Sequence, residues 1–446
     1  MISGTIFYTG QKRGYPLFQI FIFLISVGQI YAQEVSIRVF PEIRQQTIRS
    51  IGGNYCQANY TNHAWDAIGE ATLKEFRPSH VRVALPMKLK DKQFIEYQKN
   101  NYLKQPLVIE VLETLKRMKG EFGVTNFTIS VWDLPDEWIQ DPSKKAQRVV
   151  KPDAYPEVIE ALVSFFLEAK NDYGVEVDYF SFNESDGGYQ VKFTPSETIA
   201  FITLAGKRFR ESGLKTKFLW ADTAQTKGTV EFATLIKADT TIWKYLGPLC
   251  FHSWWSEKIP DSEFERIAGL AKAWSKEVWC SELGFDAMAW KVKDMNKSWD
   301  YALRFAKISH RMLKYARVEV SLYWTWQNNY TIMSADLNEK YPSYYVTRHQ
   351  VDYLNRGTQV VQSVSSDADV LALAAIRPGG GTILQAINLK KNPVKAIISG
   401  IGTGMVEIVS TTEKNLWNTS LKPDKTRNGK VTIQLEAESV NTLVFQ

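Results

Sequence analysis

Two apolar runs in the chain finish in a glutamate, Val177-Asp-Tyr-Phe-Ser-Phe-Asn183-Glu184 and Val278-Trp-Cys-Ser-Glu282. Other short runs end in polar groups as well: Arg82 in His-Val-Arg-Val-Ala, Asp133 after Thr-Ile-Ser-Val-Trp, Asp222 after Phe-Leu-Trp-Ala, and His252 after Leu-Cys-Phe. Two carboxylates that face one another suit cleavage of a glycosidic bond, where one protonates the departing oxygen and the other attacks or stabilises the anomeric carbon. A guanidinium within a few Å keeps a carboxylate ionised, while a drier surround keeps the proton on its partner near neutral pH. Asp133 and Asp222 read as loop caps or solvated rim acids. Trp132, Trp254, Trp255, Trp324 and Trp326 crowd the same run ends, and an indole face stacks well on the C–H face of a sugar ring. Of these, Trp132, Trp254 and Trp326 are the candidate sugar contacts.

These groups meet only if the runs are strands of one barrel. Eight strand-like segments occur: Ile48–Gly53, Val81–Leu85, Phe127–Trp132, Val177–Phe182, Lys217–Ala221, Leu249–His252, Val278–Ser281 and Val318–Trp324. Amphipathic stretches separate them, with helix punctuation such as Pro195-Ser196-Glu197 at the start of one and Gly213 at its end. The alternation predicts a (β/α)8 TIM barrel over residues 47–355, whose catalytic groups lie at the C-terminal strand ends. A doubly wound open sheet is the alternative, but no Gly-rich phosphate loop follows any strand. In a barrel, Glu184 ends strand four and Glu282 ends strand seven, across the mouth from each other.

From residue 356 to 446 the helical period gives way to alternation such as Val431-Thr-Ile-Gln-Leu435, punctuated by Pro378-Gly-Gly-Gly381 and Asn428-Gly429. This predicts a β-sandwich side domain. Residues 33–46 alternate in the same way and are expected to join it as an N-terminal strand. No Pro-, Ser- or Thr-rich linker separates barrel and sandwich, so the sandwich is expected to pack on the barrel as a structural unit and not as an independent carbohydrate-binding module.

The motifs Ser-Phe-Asn183-Glu184 and Trp279-Cys-Ser-Glu282-Leu-Gly resemble the acid/base and nucleophile motifs of clan A retaining glycoside hydrolases, and most of all glycoside hydrolase family 30. Ile51-Gly52-Gly53 at the barrel opening and the barrel-plus-side-domain plan are similar too. The resemblance implies Glu184 as general acid/base, Glu282 as nucleophile, Asn183 as a partner for the sugar 2-hydroxyl, and Arg82 beneath Glu282. It implies double displacement with retention on a β-1,6-glucan, a β-1,6-galactan, a xylan or a β-glucoside or β-xyloside, with no cofactor. Ser185 stands where clan members commonly have Pro, and strand six ends His252-Ser-Trp254 where many place a Tyr against the nucleophile. His252 is therefore the candidate for holding the nucleophile or a substrate hydroxyl. A catalytically silent glycan-binding protein and a transglycosylase would share the same residues.

Composition fits this reading. The 446 residues are 44% hydrophobic and 23% charged, as in ordinary globular chains, and 13% aromatic, with 14 Trp. A charge of +6 without a long basic run disfavours nucleic acid as partner; carbohydrate is the expected one. Five His without a His-x-x-x-His pair and three widely spaced Cys (Cys56, Cys250, Cys280) give no metal pattern or disulfide framework. Lys12-Arg13, the apolar run Leu17–Val27 and Tyr31-Ala32 read as a signal peptide over residues 1–32, cleaved after Ala32. The run is short for a membrane span, so a secreted or periplasmic protein without stable membrane insertion is expected. Oligomeric state is not legible.

Overall fold

The computed structural model describes residues 33–55, 66–88, 102–402, 406–422 and 429–445. The proposed signal segment 1–32 and Cys56 lie outside the described residues. In chain order the strands begin with β1 (Gln33–Thr47), β2 (Ser50–Asn54), β3 (His80–Ala84), β4 (Asn126–Val131), β5 (Arg148–Val149), β6 (Tyr179–Phe182) and β7 (Val191–Lys192). They continue with β8 (Lys217–Thr223), β9 (Leu246–His252), β10 (Val278–Leu283) and β11 (Val320–Tyr323). Eight of them, β2, β3, β4, β6, β8, β9, β10 and β11, close into a parallel barrel, and each of the eight expected segments supplies one. The two-residue strands β5 and β7 pair with each other outside it.

Eight α-helices occur among the described residues, α1 (Ala67–Phe76), α2 (Pro106–Phe122), α3 (Tyr155–Asn171), α4 (Pro195–Glu211), α5 (Thr229–Lys237), α6 (Asp261–Ala273), α7 (Trp299–Lys314) and α8 (Pro342–Val351). Helix α4 shows how local sequence sets such an element. Thr194 accepts from the Glu197 amide while the Glu197 carboxylate accepts from the Thr194 amide, and Pro195 fills the first turn, where no amide is needed. Phe201, Ile202, Ala205 and Phe209 then form its buried stripe, and Gly213, at φ 72°, follows its end. Inside the barrel Leu219, Cys250, Trp279, Val320 and Leu322 form an apolar plug. Cys250 and Cys280 are free, buried thiols.

The remaining strands are β12 (Gln359–Ser365), β13 (Val370–Ile376), β14 (Thr382–Asn388), β15 (Val394–Ser399), β16 (Val406–Thr411), β17 (Asn418–Lys422), β18 (Lys430–Leu435) and β19 (Ser439–Phe445). With β1 they make one mixed nine-stranded sheet in the order β17-β16-β19-β14-β13-β12-β1-β15-β18. The expected sandwich is thus a single curled sheet, and the N-terminal strand enters it antiparallel to β12 and parallel to β15. Period-two alternation serves two cores at once. Leu384 and Ala386 of β14 join Val35, Ile37 and Ile398 in the sheet's own core, whereas Ile383 packs with Ile48, Leu313 and Leu354 and Ile387 joins the main barrel core.

His349 of α8 fastens the two parts. Its Nδ1 lies 2.8 Å from the Thr442 hydroxyl and its Nε2 3.0 Å from that of Thr411. Burial first, and then the Arg348 charge, push its pKa down to about 3; burial does the same to His80, also to about 3. A His whose folded pKa is depressed stabilises fully above its unfolded value and loses that stability as pH falls toward the folded one. Each should therefore cost about 1.4 kcal/mol per pH unit below about pH 6.5. The midpoint of urea unfolding is expected to fall between pH 6.5 and 4.5, and to fall less steeply in His349→Gln from its own lower starting value.

Candidate active site

The polar strand ends converge because a parallel barrel points all its C-termini to one mouth. Two irregularities aim them further. The register between β9 and β10 shifts so that Glu282 falls opposite His252, and β8 is irregular around Ala221 and Asp222. Glu184, Ala221 and Asp222 have φ of 49°, 81° and 48°, left-handed backbone that side chains rarely adopt and that clusters at functional sites.

Glu282 is held on both oxygens. Arg82 donates to Oε1 at 2.7 Å, the Trp254 indole N–H donates to Oε2 at 3.0 Å, and His252 Nδ1 stands 3.2 Å from Oε2. Burial alone would raise this carboxyl, but the charges of His252 and Arg82 and their hydrogen bonds overcome it and hold it below the usual carboxylate range. Glu184 is the opposite case. Its side chain keeps 13% exposure, and His252 Nδ1 lies 3.1 Å from Oε1. Burial, reinforced by the negative charges of Glu282 and Asp186, raises its pKa against the pull of His252. One carboxylate is thus poised as an anion and the other as an acid, the division of labour that glycosidic cleavage uses. Glu184, His252 and Glu282 each place one nitrogen or oxygen atom within 4.8 Å of the other two, so the nearest oxygens of the two carboxylates are no farther apart than that. Such a trio could in principle share a cation, but Arg82 and a protonated His252 already compensate the charge.

The imidazole of His252 is fully buried between the two glutamates, with Nε2 3.4 Å from Asp222 Oδ1 at its back. Burial opposes its protonation, but the Glu282 charge and hydrogen bonding to the three carboxylates raise its pKa well above the ordinary value. Arg82 is buried too and spans the floor: besides Glu282 it reaches Asn54 Oδ1 at 3.0 Å, Asn183 Oδ1 at 2.5 Å and Asp222 Oδ2 at 3.4 Å. Its guanidinium lies 4.7 Å over the Trp132 ring. Asn54 in turn donates to the carbonyl of Ser281 at 2.8 Å, tying β2 to the strand that carries Glu282.

Glu184, Glu282, Arg82, Asn183, His252 and Trp254 are therefore one connected group. The aromatic expectations need correction. Trp326 is 0% exposed, wedged between Tyr55 and Phe76 and over Gly53, where a Cβ would come 2.7 Å from its ring; it presents no face to a sugar. Trp254 is 2% exposed and donates to Glu282 through its N–H, seated where a Cβ on Gly284 would collide with its ring. Trp132 is a buried shelf under Arg82, packed against the partly exposed Trp324 at 5.8 Å. All three follow the last residue of a barrel strand and are buried by neighbours from other segments that close over them.

Asp222 is likewise no solvated rim acid. It is buried against Arg82, the Ser281 hydroxyl and His252; burial would raise its pKa, but the Arg82 charge and His252 hold it far below the carboxylate range. Its place at a strand end was the available signal, and burial was not. Asp133 does cap its loop, accepting from the Leu134 amide at 2.9 Å, and also pairs with the buried Arg148 at 2.7 Å.

No family model matches the chain, and no curated protein matches it in sequence. Solved structures do. A glycoside hydrolase family 30 subfamily 8 xylanase from Clostridium acetobutylicum superposes with a TM-score of 0.74 at 17% identity, over 92% of this chain and 99% of its own. A family 30 endoxylanase from Clostridium papyrosolvens gives 0.72 at 16%, over 93% and 100%. An endo-β1,6-glucanase gives 0.64 at 13%, over 92% and 94%. The chain therefore has the fold of glycoside hydrolase family 30, an eight-stranded barrel with a side sheet that takes in the N-terminal strand.

Proposed function

We propose that this protein is an exported glycoside hydrolase that cleaves β-linked glycans by double displacement with retention. The observation that carries the reading is the facing pair Glu184 and Glu282, whose nearest carboxylate oxygens are no more than 4.8 Å apart and whose pKa values are displaced in opposite directions. Retaining enzymes hold their carboxyl groups about 5–5.5 Å apart, whereas inverting ones leave about 6.5–9.5 Å for a water molecule. Glu282, ionised by Arg82 and His252, attacks the anomeric carbon while Glu184 gives its proton to the departing oxygen. With the leaving sugar gone, Glu184 takes a proton from water, and that water releases the glycosyl group from Glu282. Asn183 accepts from Arg82 through Oδ1, which turns its amide N–H groups to the task of binding a sugar hydroxyl.

The candidate substrates are β-1,6-glucans, β-1,6-galactans, xylans and simple β-glucosides or β-xylosides, the first and third in keeping with the activities named for the similar structures. The test is product release by residues 33–446 from a panel of these glycans, with the anomeric configuration of the first-formed product read by NMR. Release of β-product supports the assignment; release of α-product would overturn retention, and no release from any member would favour a silent binding protein.

The rate profile should be bell-shaped, with an acid limb below the usual Glu range from Glu282 and a basic limb above it from Glu184. His252 lowers the pKa of both carboxyls. In His252→Gln both limbs of kcat/KM should therefore move to higher pH; a profile that only shrinks without moving would show that the imidazole carries no charge.

A further inference from the structure

Among the described residues the exposed aromatic side chains are Tyr189, Trp255 and Trp290, and all three sit on loops that leave C-terminal ends of barrel strands. Tyr189 is the one tied to the catalytic pair. It rides on the loop that carries Glu184, five residues further on, and keeps 58% of its surface exposed. Its backbone is braced on both sides. The Gly188 amide closes a turn onto the Glu184 carbonyl at 2.8 Å, Gln147 donates to the Gly188 carbonyl at 2.8 Å, and Arg148 donates to the Gln190 carbonyl at 2.7 Å. Gly188 is required there, since its φ is 68° and a Cβ would lie 2.9 Å from that of Lys192. The bracing loop is itself fixed from within by the Arg148 guanidinium, which bonds Asp133 at 2.7 Å, Asp136 at 2.6 Å and the Leu134 and Lys144 carbonyls at 3.0 Å. A rigid frame thus holds an apolar ring in water, an arrangement that folding alone does not reward.

The phenol also lies within the field of the reacting groups: burial of its hydroxyl end, then the charges of Glu184 and Glu282, raise its pKa. Resting on the hydrolase reading above, we infer that Tyr189 is a substrate platform on the leaving-group side of the cleft, stacking a sugar ring beyond the bond that is cleaved. The side follows from chemistry, since Glu184 delivers its proton to the departing oxygen and the loop that carries Glu184 must flank the departing group. The substrate class is then a glycan that continues past the scissile bond, as in cleavage within a chain.

The experiment compares Tyr189→Ala and Tyr189→Phe with wild type on two probes sharing one glycone: a nitrophenyl β-glycoside, with no sugar on the leaving side, and the β-linked tetrasaccharide of the same sugar. For Tyr189→Ala the expected result is about a tenfold loss of kcat/KM on the tetrasaccharide and less than a twofold change on the nitrophenyl glycoside. Tyr189→Phe should keep most of the tetrasaccharide activity, because the ring face is what binds. Equal losses on both probes, or none on either, would overturn the platform while leaving the hydrolase reading intact. Wild-type inactivity on both probes across the panel of sugars would sink the hydrolase reading and this inference with it.

Discussion

Glu282→Gln is expected to lower kcat by at least about 10⁴-fold on any substrate the wild type cleaves, with some loss of stability as well, since it removes one charge of the buried pair with Arg82. The amide is isosteric but offers one accepting oxygen in place of two, so it keeps the bond from Arg82 or that from Trp254 but not both, and it cannot attack the anomeric carbon. The role is separable from that of Glu184 by chemical rescue. In Glu184→Ala the nucleophile remains, so a nitrophenyl glycoside should still load the enzyme, and added azide should accelerate release and yield the β-glycosyl azide. In Glu282→Gly azide enters from the side of the missing carboxylate and should yield the α-azide. Exchange of these two outcomes would reverse the assignment of acid and nucleophile, whereas Glu282→Gln at wild-type rate would remove Glu282 from the chemistry altogether.

Arg82→Leu is expected to be the most damaging change outside the two glutamates, because one buried cation there serves four acceptors from four strands or their ends: Asn54, Asn183, Asp222 and Glu282. Removing one partner of a buried ion pair typically costs about 3–5 kcal/mol, since the remaining charges stay buried without compensation. Unfolding in urea should show a loss of that order. Glu282 and Asp222 have depressed folded pKa values, so the stability they contribute is present above the unfolded carboxylate range and lost as pH falls through the folded values. In Arg82→Leu both pKa values should rise, the variant should gain relative stability toward pH 4, and the acid limb of its residual activity should move upward. Arg82→Lys keeps the charge but not the planar fork, and should recover part of the stability with little of the rate. A urea midpoint unchanged in Arg82→Leu would show that the network does not bear on folding.

Barrel, side domain and the facing pair Glu184 and Glu282 were legible for a physical reason. A strand buried on both faces must be a short apolar run, a crossover helix must repeat near every 3.6 residues, and a parallel barrel must send its strand ends to one mouth; period, length and order along the chain carry all three. Those rules put Glu184 and Glu282 across one mouth and Arg82 and His252 at strand ends of the same mouth; that Arg82 and His252 stand beside Glu282 is what the family resemblance implies. Distance and burial are a different kind of quantity. They depend on which neighbours close over a residue, and those neighbours come from segments far away in sequence: Gly53 and Phe76 bury Trp326, Gly284 seats Trp254, and Arg82 with Ser281 buries Asp222. Period also cannot distinguish a buried indole from an exposed one at a strand end: Trp132, Trp254 and Trp326 are buried, while the open rings among the described residues, Tyr189, Trp255 and Trp290, stand on loops. Residue type and spacing determined which chemistry the chain is equipped for; only the tertiary structure decided how far apart the carboxylates stand and which one keeps its proton, because both depend on charges and burial contributed by other strands.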